Sequence, residues 1–235
     1  METRINELEN ELFARWSQKH EGLFIEDGAP CPEQFENEKT RVTFVLKEAN
    51  ASGESWDMRS WAAESGGDLK SPNTWNNIVR WTQAILDGGE FPEKVSIDDR
   101  IRWLKRISFM NLKKVGGDSS SIPSEIIKYA KNDAEEIREQ LCIYKPDIIV
   151  CCGVLGSKAV ADCLGDFVFK YEGAWGHYEK NGVFCWFYTQ IPAKLHKTAV
   201  LSFYHPRNLG TGCSDQVLYD AMLEAAKEAL AGRPK

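Results

Sequence analysis

Asp147-Ile148-Ile149-Val150-Cys151-Cys152-Gly153, preceded by Pro146, is an unbroken apolar run closed by a glycine. A short run that never alternates with polar residues is the pattern of a strand buried on both faces, as in the middle of a parallel sheet. Arg41–Leu46, Ile107–Leu112 and Thr198–Phe203 share its β-branched and aromatic character. The residues between them carry helical periodicity. Ile5, Leu8, Leu12, Phe13 and Trp16 define an amphipathic helix over about 4–19. Trp75, Ile78, Val79, Thr82, Ile85 and Leu86 define a second, capped by Asn73 or Thr74 and ended by Asp87-Gly88-Gly89. Ser96 with Asp99 is a capping box for a short helix. Ser124 opens a long helix to about Tyr144, Ala159, Val160 and Leu164 mark a small-residue helix, and Ser214 caps a last one through Leu230. Strands alternating with helices predict an α/β fold around a central, mostly parallel four-stranded sheet. Asn181-Gly182 between aromatic-rich runs predicts a β-hairpin excursion within Trp175–Tyr188. No linker is visible, so residues 1–235 are expected to form one domain with an N-terminal helical segment at about 4–40.

Composition narrows the classes further. No segment approaches the roughly 18 apolar residues that span a bilayer, and Met1-Glu2-Thr3-Arg4 does not begin a secretory signal, so a soluble, cytoplasmic protein with no membrane partner is expected. The seven cysteines are odd in number, several lie in apolar runs, and none forms a Cys-x-x-Cys pair. Reduced core cysteines follow, with no zinc, iron–sulfur cluster or other cofactor expected. A net charge of −6 argues against a protein that coats nucleic acid through phosphate neutralisation alone. A local basic groove from Lys113, Lys114, Lys194, Lys197 and Arg207 is compatible with it.

In open parallel sheets ligands bind beyond the carboxyl ends of the strands. That rule selects Lys47, Glu48 and Asn50 after the first strand and Asn111, Lys113 and Lys114 at the second. It selects Gly153 and Ser157 after the third, and His205, Arg207, Asn208 and Leu209 after the last. The polar, glycine-bearing stretch from Lys47 to Pro72 is long enough to be functional or partly helical, and it carries Trp56 and Trp61.

Four segments lie in register along the chain: Phe44-Val45-Leu46-Lys47-Glu48-Ala49-Asn50-Ala51, Phe109-Met110-Asn111-Leu112, Asp147 to Gly153, and Leu201-Ser202-Phe203-Tyr204-His205-Pro206. Together they resemble the uracil-DNA glycosylase superfamily, whose members carry an acid or amide after the first strand and a His-Pro turn after the last. The resemblance implies a three-layer α/β/α sandwich that hydrolyses the N-glycosidic bond of a damaged or deaminated base in DNA. On that reading His205 donates to the base oxygen, and Glu48 orients water or stabilises the sugar cation. Asn111 reads the edge of a flipped base, with Asn50 and Gly153 beside it; Trp56 or Trp61 stacks on that base, and Leu209 is an apolar wedge. Lys113, Lys114, Ser157, Arg207 and Asn208 would contact the nucleic acid. DNA or a nucleobase-containing ligand is the implied partner, bound by a monomer.

Each residue also has a plainer reading. His205 can be a turn histidine, hydrogen-bonded and inert. Glu48 can pair with a neighbouring lysine, Asn111 can satisfy backbone groups at a strand end, and Lys113-Lys114 can be a solvated pair. Ser157 with His205 lacks the glycine-flanked elbow of a serine nucleophile. Two other functions are therefore open: a noncatalytic nucleic-acid-binding or sensing protein of the same fold, and an α/β hydrolase or binding protein for a small nucleotide.

Overall fold

The structure, a computed structural model, describes residues 3–51, 56–67, 72–117, 121–169, 176–188, 198–208 and 210–232. Its centre is a six-stranded sheet built from β1 (Val42–Asn50), β2 (Ser108–Gly117), β3 (Ile148–Cys152), β6 (Gly176–Lys180), β7 (Val183–Tyr188) and β8 (Ala199–Phe203). Two-residue strands β4 (Val154–Leu155) and β5 (Lys158–Ala159) form a separate small hairpin. The order is β2-β1-β3-β8-β7-β6, with the first four strands parallel and β7 and β6 antiparallel. The expected four-stranded sheet is thus six-stranded, because the hairpin pairs with the free edge of β8 instead of standing apart. An unpaired edge exposes a row of backbone donors and acceptors, and β7 satisfies them. Asn181 and Gly182 turn the hairpin with φ of 53° and 78°, the left-handed pair a two-residue turn demands.

Helices pack on both faces. They are α1 (Arg4–Trp16), α2 (Pro32–Asn37), α3 (Met58–Ser65), α4 (Pro72–Leu86), α5 (Ile97–Leu104), α6 (Pro123–Asn132), α7 (Ala134–Tyr144), α8 (Val160–Cys163) and α9 (Asp215–Gly232). Alternation along the strands separates two cores: Phe44, Val150 and Leu201 pack with α4 and α9, while Val45, Ile149 and Val200 pack with α1, α6 and α7. No disulfide joins any of the seven cysteines, and Cys151, Cys152, Cys163 and Cys185 are buried. Among the described residues no helix is long and apolar enough to cross a membrane.

Several boundaries differ from those the sequence predicts. β1 runs on to Asn50 and β2 to Gly117, so Lys47, Glu48, Lys113 and Lys114 are strand residues and not loop residues. The outer edge of β2 is covered by the 23–28 segment, with Ile25 N–H donating to Lys114 O at 2.8 Å and Phe109 N–H to Gly28 O at 3.0 Å. The single helix expected over Ser124–Tyr144 breaks at Asp133 (φ −106°, ψ 18°), whose buried carboxylate meets His20 Nε2 at 2.8 Å. Pro123, not Ser124, begins α6, since proline tolerates the first helical position where its missing N–H costs nothing. Likewise α4 begins at Pro72, ahead of Asn73 and Thr74. The Ser96–Asp99 capping box forms as the sequence predicts, and the Ser214 hydroxyl accepts from Val217 N–H at 3.2 Å.

Candidate functional site

The strand order reverses at β1, which has β2 on one side and β3 on the other. At such a switch point the connections diverge and leave a crevice at the carboxyl ends of the strands. A cleft of about 690 Å3 opens there, lined among the described residues by Lys47 from β1, Gly153 after β3, Ser202 to His205 from β8, Phe184 and Trp186 from β7, and Arg207. This volume falls within the roughly 300–1,000 Å3 of small-molecule sites. Gly153 has φ of 88°, and a Cβ there would lie 3.0 Å from His205 Cβ, so glycine lets the end of β3 close against the imidazole.

His205 is half-buried, and desolvation, followed by the positive charges of Lys47 and Arg207, lowers its pKa to about 4. The ring is therefore neutral at pH 7. Its Nδ1 accepts the Arg207 backbone N–H at 3.2 Å, which leaves the single ring proton on Nε2 as a donor. Burial likewise lowers the pKa of Lys47, against the opposing charges of Glu48 and Cys152. Neither Lys47 nor Arg207 forms an ion pair among the described residues. Two cations without an ion-pair partner among the described residues and one neutral donor thus share a cleft with aromatic walls.

The turn that presents His205 is held from below. Asn77 of α4, fully buried, donates Nδ2 to Pro206 O at 2.8 Å and to Asp215 Oδ1 at 3.1 Å. Arg80 binds Asp215 Oδ2 at 2.8 Å, Asn77 Oδ1 at 3.1 Å and the carbonyls of Pro92 and Glu93. Asn208, at φ of 53°, donates to Asp215 Oδ1 at 2.8 Å and to Cys213 O at 3.0 Å. Asn208 is consequently a scaffold residue of the turn, its amide spent internally. Sequence reading missed Asn77, Arg80 and Asp215, although a polar pair three residues apart on an otherwise apolar stripe is a visible sign of a buried network.

The remaining predicted residues lie elsewhere. Glu48 does not share the cleft with His205. Its side chain, 4% exposed, binds Lys113 Nζ at 2.8 Å, with Glu125 at 3.3 Å from the same amine. These three border a separate polar hollow of about 280 Å3. Consecutive residues of an extended strand diverge, so Lys47 and not Glu48 faces the imidazole. Burial would lower the pKa of Lys113, but its bonds to Glu48 and Glu125 outweigh that and raise it, so the amine is committed to these acids. Asn111 is 2% exposed, with Nδ2 on Asp27 Oδ2 at 3.2 Å. Lys114 is buried against Asp27, its Nζ 4.9 Å from the Trp16 ring, and burial lowers its pKa. Neither Asn111 nor Lys114 can reach a ligand at the cleft from that position. Trp56 and Trp61 pack edge to face at 5.2 Å and continue to Trp75 and Phe109 on the core, not into the cleft. Ser157 is exposed in the turn joining β4 to β5, and Asn50 is exposed at the end of β1 beside Gly117. Leu209, Trp175, Lys194 and Lys197 lie outside the described residues.

No protein-family model and no curated protein matches the chain.

Proposed function

We propose that the cleft binds a nucleobase-bearing anion, a nucleotide unit of DNA in the first instance. One observation carries the reading: the Nε2–H donor of neutral His205 stands with Lys47 and Arg207, both without acidic partners among the described residues, in a cleft walled by Phe184, Tyr204 and Trp186. A nucleotide offers the matching set of a flat ring, a carbonyl acceptor and a phosphate. The four segments that carry the resemblance to uracil-DNA glycosylases are the four adjacent parallel strands β2, β1, β3 and β8, which supports that kinship at the level of fold.

Hydrolysis of an N-glycosidic bond is the second reading, favoured by the neutral imidazole. As a base departs, negative charge gathers on its oxygen, and the Nε2–H beside the Lys47 ammonium would stabilise it. Binding stands ahead of hydrolysis because Glu48, held by Lys113, lines a separate hollow and not the cleft. The test is binding of a short labelled oligonucleotide by anisotropy. With two phosphates neutralised by Lys47 and Arg207, log K should fall with log salt at a slope of about −1.4, a loss of about sevenfold between 50 and 200 mM. Lys47→Gln and Arg207→Gln should each lower the slope by about 0.7. Salt-independent binding, or none, refutes the reading. Oligonucleotides containing uracil, hypoxanthine or xanthine, treated with alkali after incubation, test hydrolysis; intact strands throughout would dismiss it.

A further inference from the structure

Five large apolar side chains are exposed among the described residues: Ile97, Ile122, Val154, Phe184 and Trp186. Three of them, Val154, Phe184 and Trp186, border the His205 cleft, so exposed apolar surface is concentrated there. Along β7 burial alternates strictly. Val183, Cys185 and Phe187 pack with Leu218, Met222 and Ala225 of α9, while Phe184 and Trp186 present the opposite face to solvent, 40% and 43% exposed. Among the described residues no helix covers that second face.

The rings on it form a row. His177 of β6 stands directly opposite Trp186, and Trp186 opposite Ser202 of β8, which lines the cleft. Phe184 and Trp186 meet edge to face at 4.9 Å, and the His177 ring lies 5.6 Å from each. An aromatic surface therefore leads from the hairpin into a cleft that holds Lys47 and Arg207.

We infer that the exposed face of the β6–β7 hairpin is a stacking path for single-stranded nucleic acid, whose leading nucleotide occupies the His205 cleft. The inference rests on the reading of that cleft given above and adds the strand form. Bases stack on aromatic side chains only where their faces are open, as they are in single strands and are not inside a duplex. Lys47 and Arg207 at one end favour a polyanion, and a net charge of −6 argues against affinity drawn from the many phosphate contacts of a duplex backbone. Such a site takes its affinity from stacking rather than from many phosphate contacts, and it is tolerant of sequence.

The experiment compares a single-stranded oligonucleotide, a duplex of the same sequence and a mononucleotide, with the wild type and with Phe184→Ala, Trp186→Ala and Trp186→Phe. Both positions are solvent-facing, so the variants retain the fold, and circular dichroism verifies it. The single strand should bind tighter than the other two. Each alanine variant should weaken the single strand about tenfold and abolish most of its advantage over the mononucleotide, and Trp186→Phe should restore most of the loss. A duplex bound as tightly as the single strand, or alanine variants without effect, overturns the path. Mononucleotide binding with no gain for the single strand overturns it too and leaves the cleft reading intact, whereas no binding by any of the three overturns both. Trp186-dependent self-association in sedimentation, without nucleic-acid binding, would assign the face to a second copy of the chain and refute the proposal.

Discussion

Acidification should destabilise the fold through His205 before most carboxylates titrate. The imidazole has a pKa of about 4 in the folded chain against an ordinary 6.5, chiefly because it is half-buried at the mouth of the cleft and secondarily because Lys47 and Arg207 face it. Below pH 6.5 the unfolded chain takes up a proton that the native ring refuses until about pH 4. The unfolded state thus binds more protons, and stability falls as pH is lowered through that window. At 1.36 kcal/mol per pKa unit the difference amounts to about 3 kcal/mol, fully present above pH 6.5 and lost by about pH 4. Glu9 and Glu26, whose pKa values burial raises, act in the opposite sense, since the native chain protonates them earlier than the unfolded one. The quantity to measure is therefore a difference: urea unfolding of the wild type and of His205→Asn at half-unit steps from pH 7.5 to 4. The variant should lack about 3 kcal/mol of the decline. NMR titration of the imidazole Cε1–H, assigned by the same variant, should give His205 a midpoint of about 4. Parallel stability curves, or a His205 midpoint near 6.5, would refute the electrostatic account of the cleft. A bound phosphate offsets the two cations and raises the His205 pKa above about 4, so ligand affinity should rise as pH is lowered toward 4.

Two substitutions separate the cleft from its surroundings. Glu48→Gln removes one of two acids from Lys113, so it should cost about 2 kcal/mol in urea unfolding, below the roughly 3–5 of an orphaned buried charge, while oligonucleotide affinity at the cleft stays unchanged. Loss of binding without loss of stability would return Glu48 to the site. Asn77→Ala leaves Pro206 O and part of Asp215 unsatisfied below the turn, so stability should fall by about 1–3 kcal/mol and affinity should fall with it, although Asn77 is itself buried beneath the cleft. Unaltered affinity would mean that the turn holds His205 without that network.

The four parallel strands were legible because each carries an apolar run that only a doubly buried strand needs. Their lengths were not. Lys47, Glu48, Lys113 and Lys114 read as exit loops, since a strand that continues into polar residues has no apolar signal. What stabilises those extensions lies far away in the chain. Ile25 and Gly28 cover the edge of β2, and Asp27 receives Asn111 N–H at 2.7 Å, Gln140 Nε2 at 2.9 Å and the Lys114 amine. A buried carboxylate with that many donors is paired across 84 and 113 residues, and no local pattern encodes such partners. The hairpin was visible through Asn181-Gly182, but the strand it would pair with was not, because edge pairing depends on which neighbour is left unsatisfied.

The position of His205 was legible for a different reason from its partners. A His-Pro pair after a buried strand must emerge at the carboxyl end of the sheet whatever the neighbouring strands do, so the sequence alone locates it. Which residue faces it depends on the phase of β1, and phase is set by one-residue register. A register shift near Glu48 and Asn50 accompanies the turn of Glu48 toward Lys113. That phase leaves Lys47 beside the imidazole, replacing an acid in the cleft with a base. An acid beside His205 would raise its pKa and suit it to proton transfer, whereas burial, followed by Lys47 and Arg207, lowers it and leaves a neutral donor. The resemblance implies an acid facing His205 where the structure has Lys47, which is why nucleotide recognition is proposed ahead of hydrolysis.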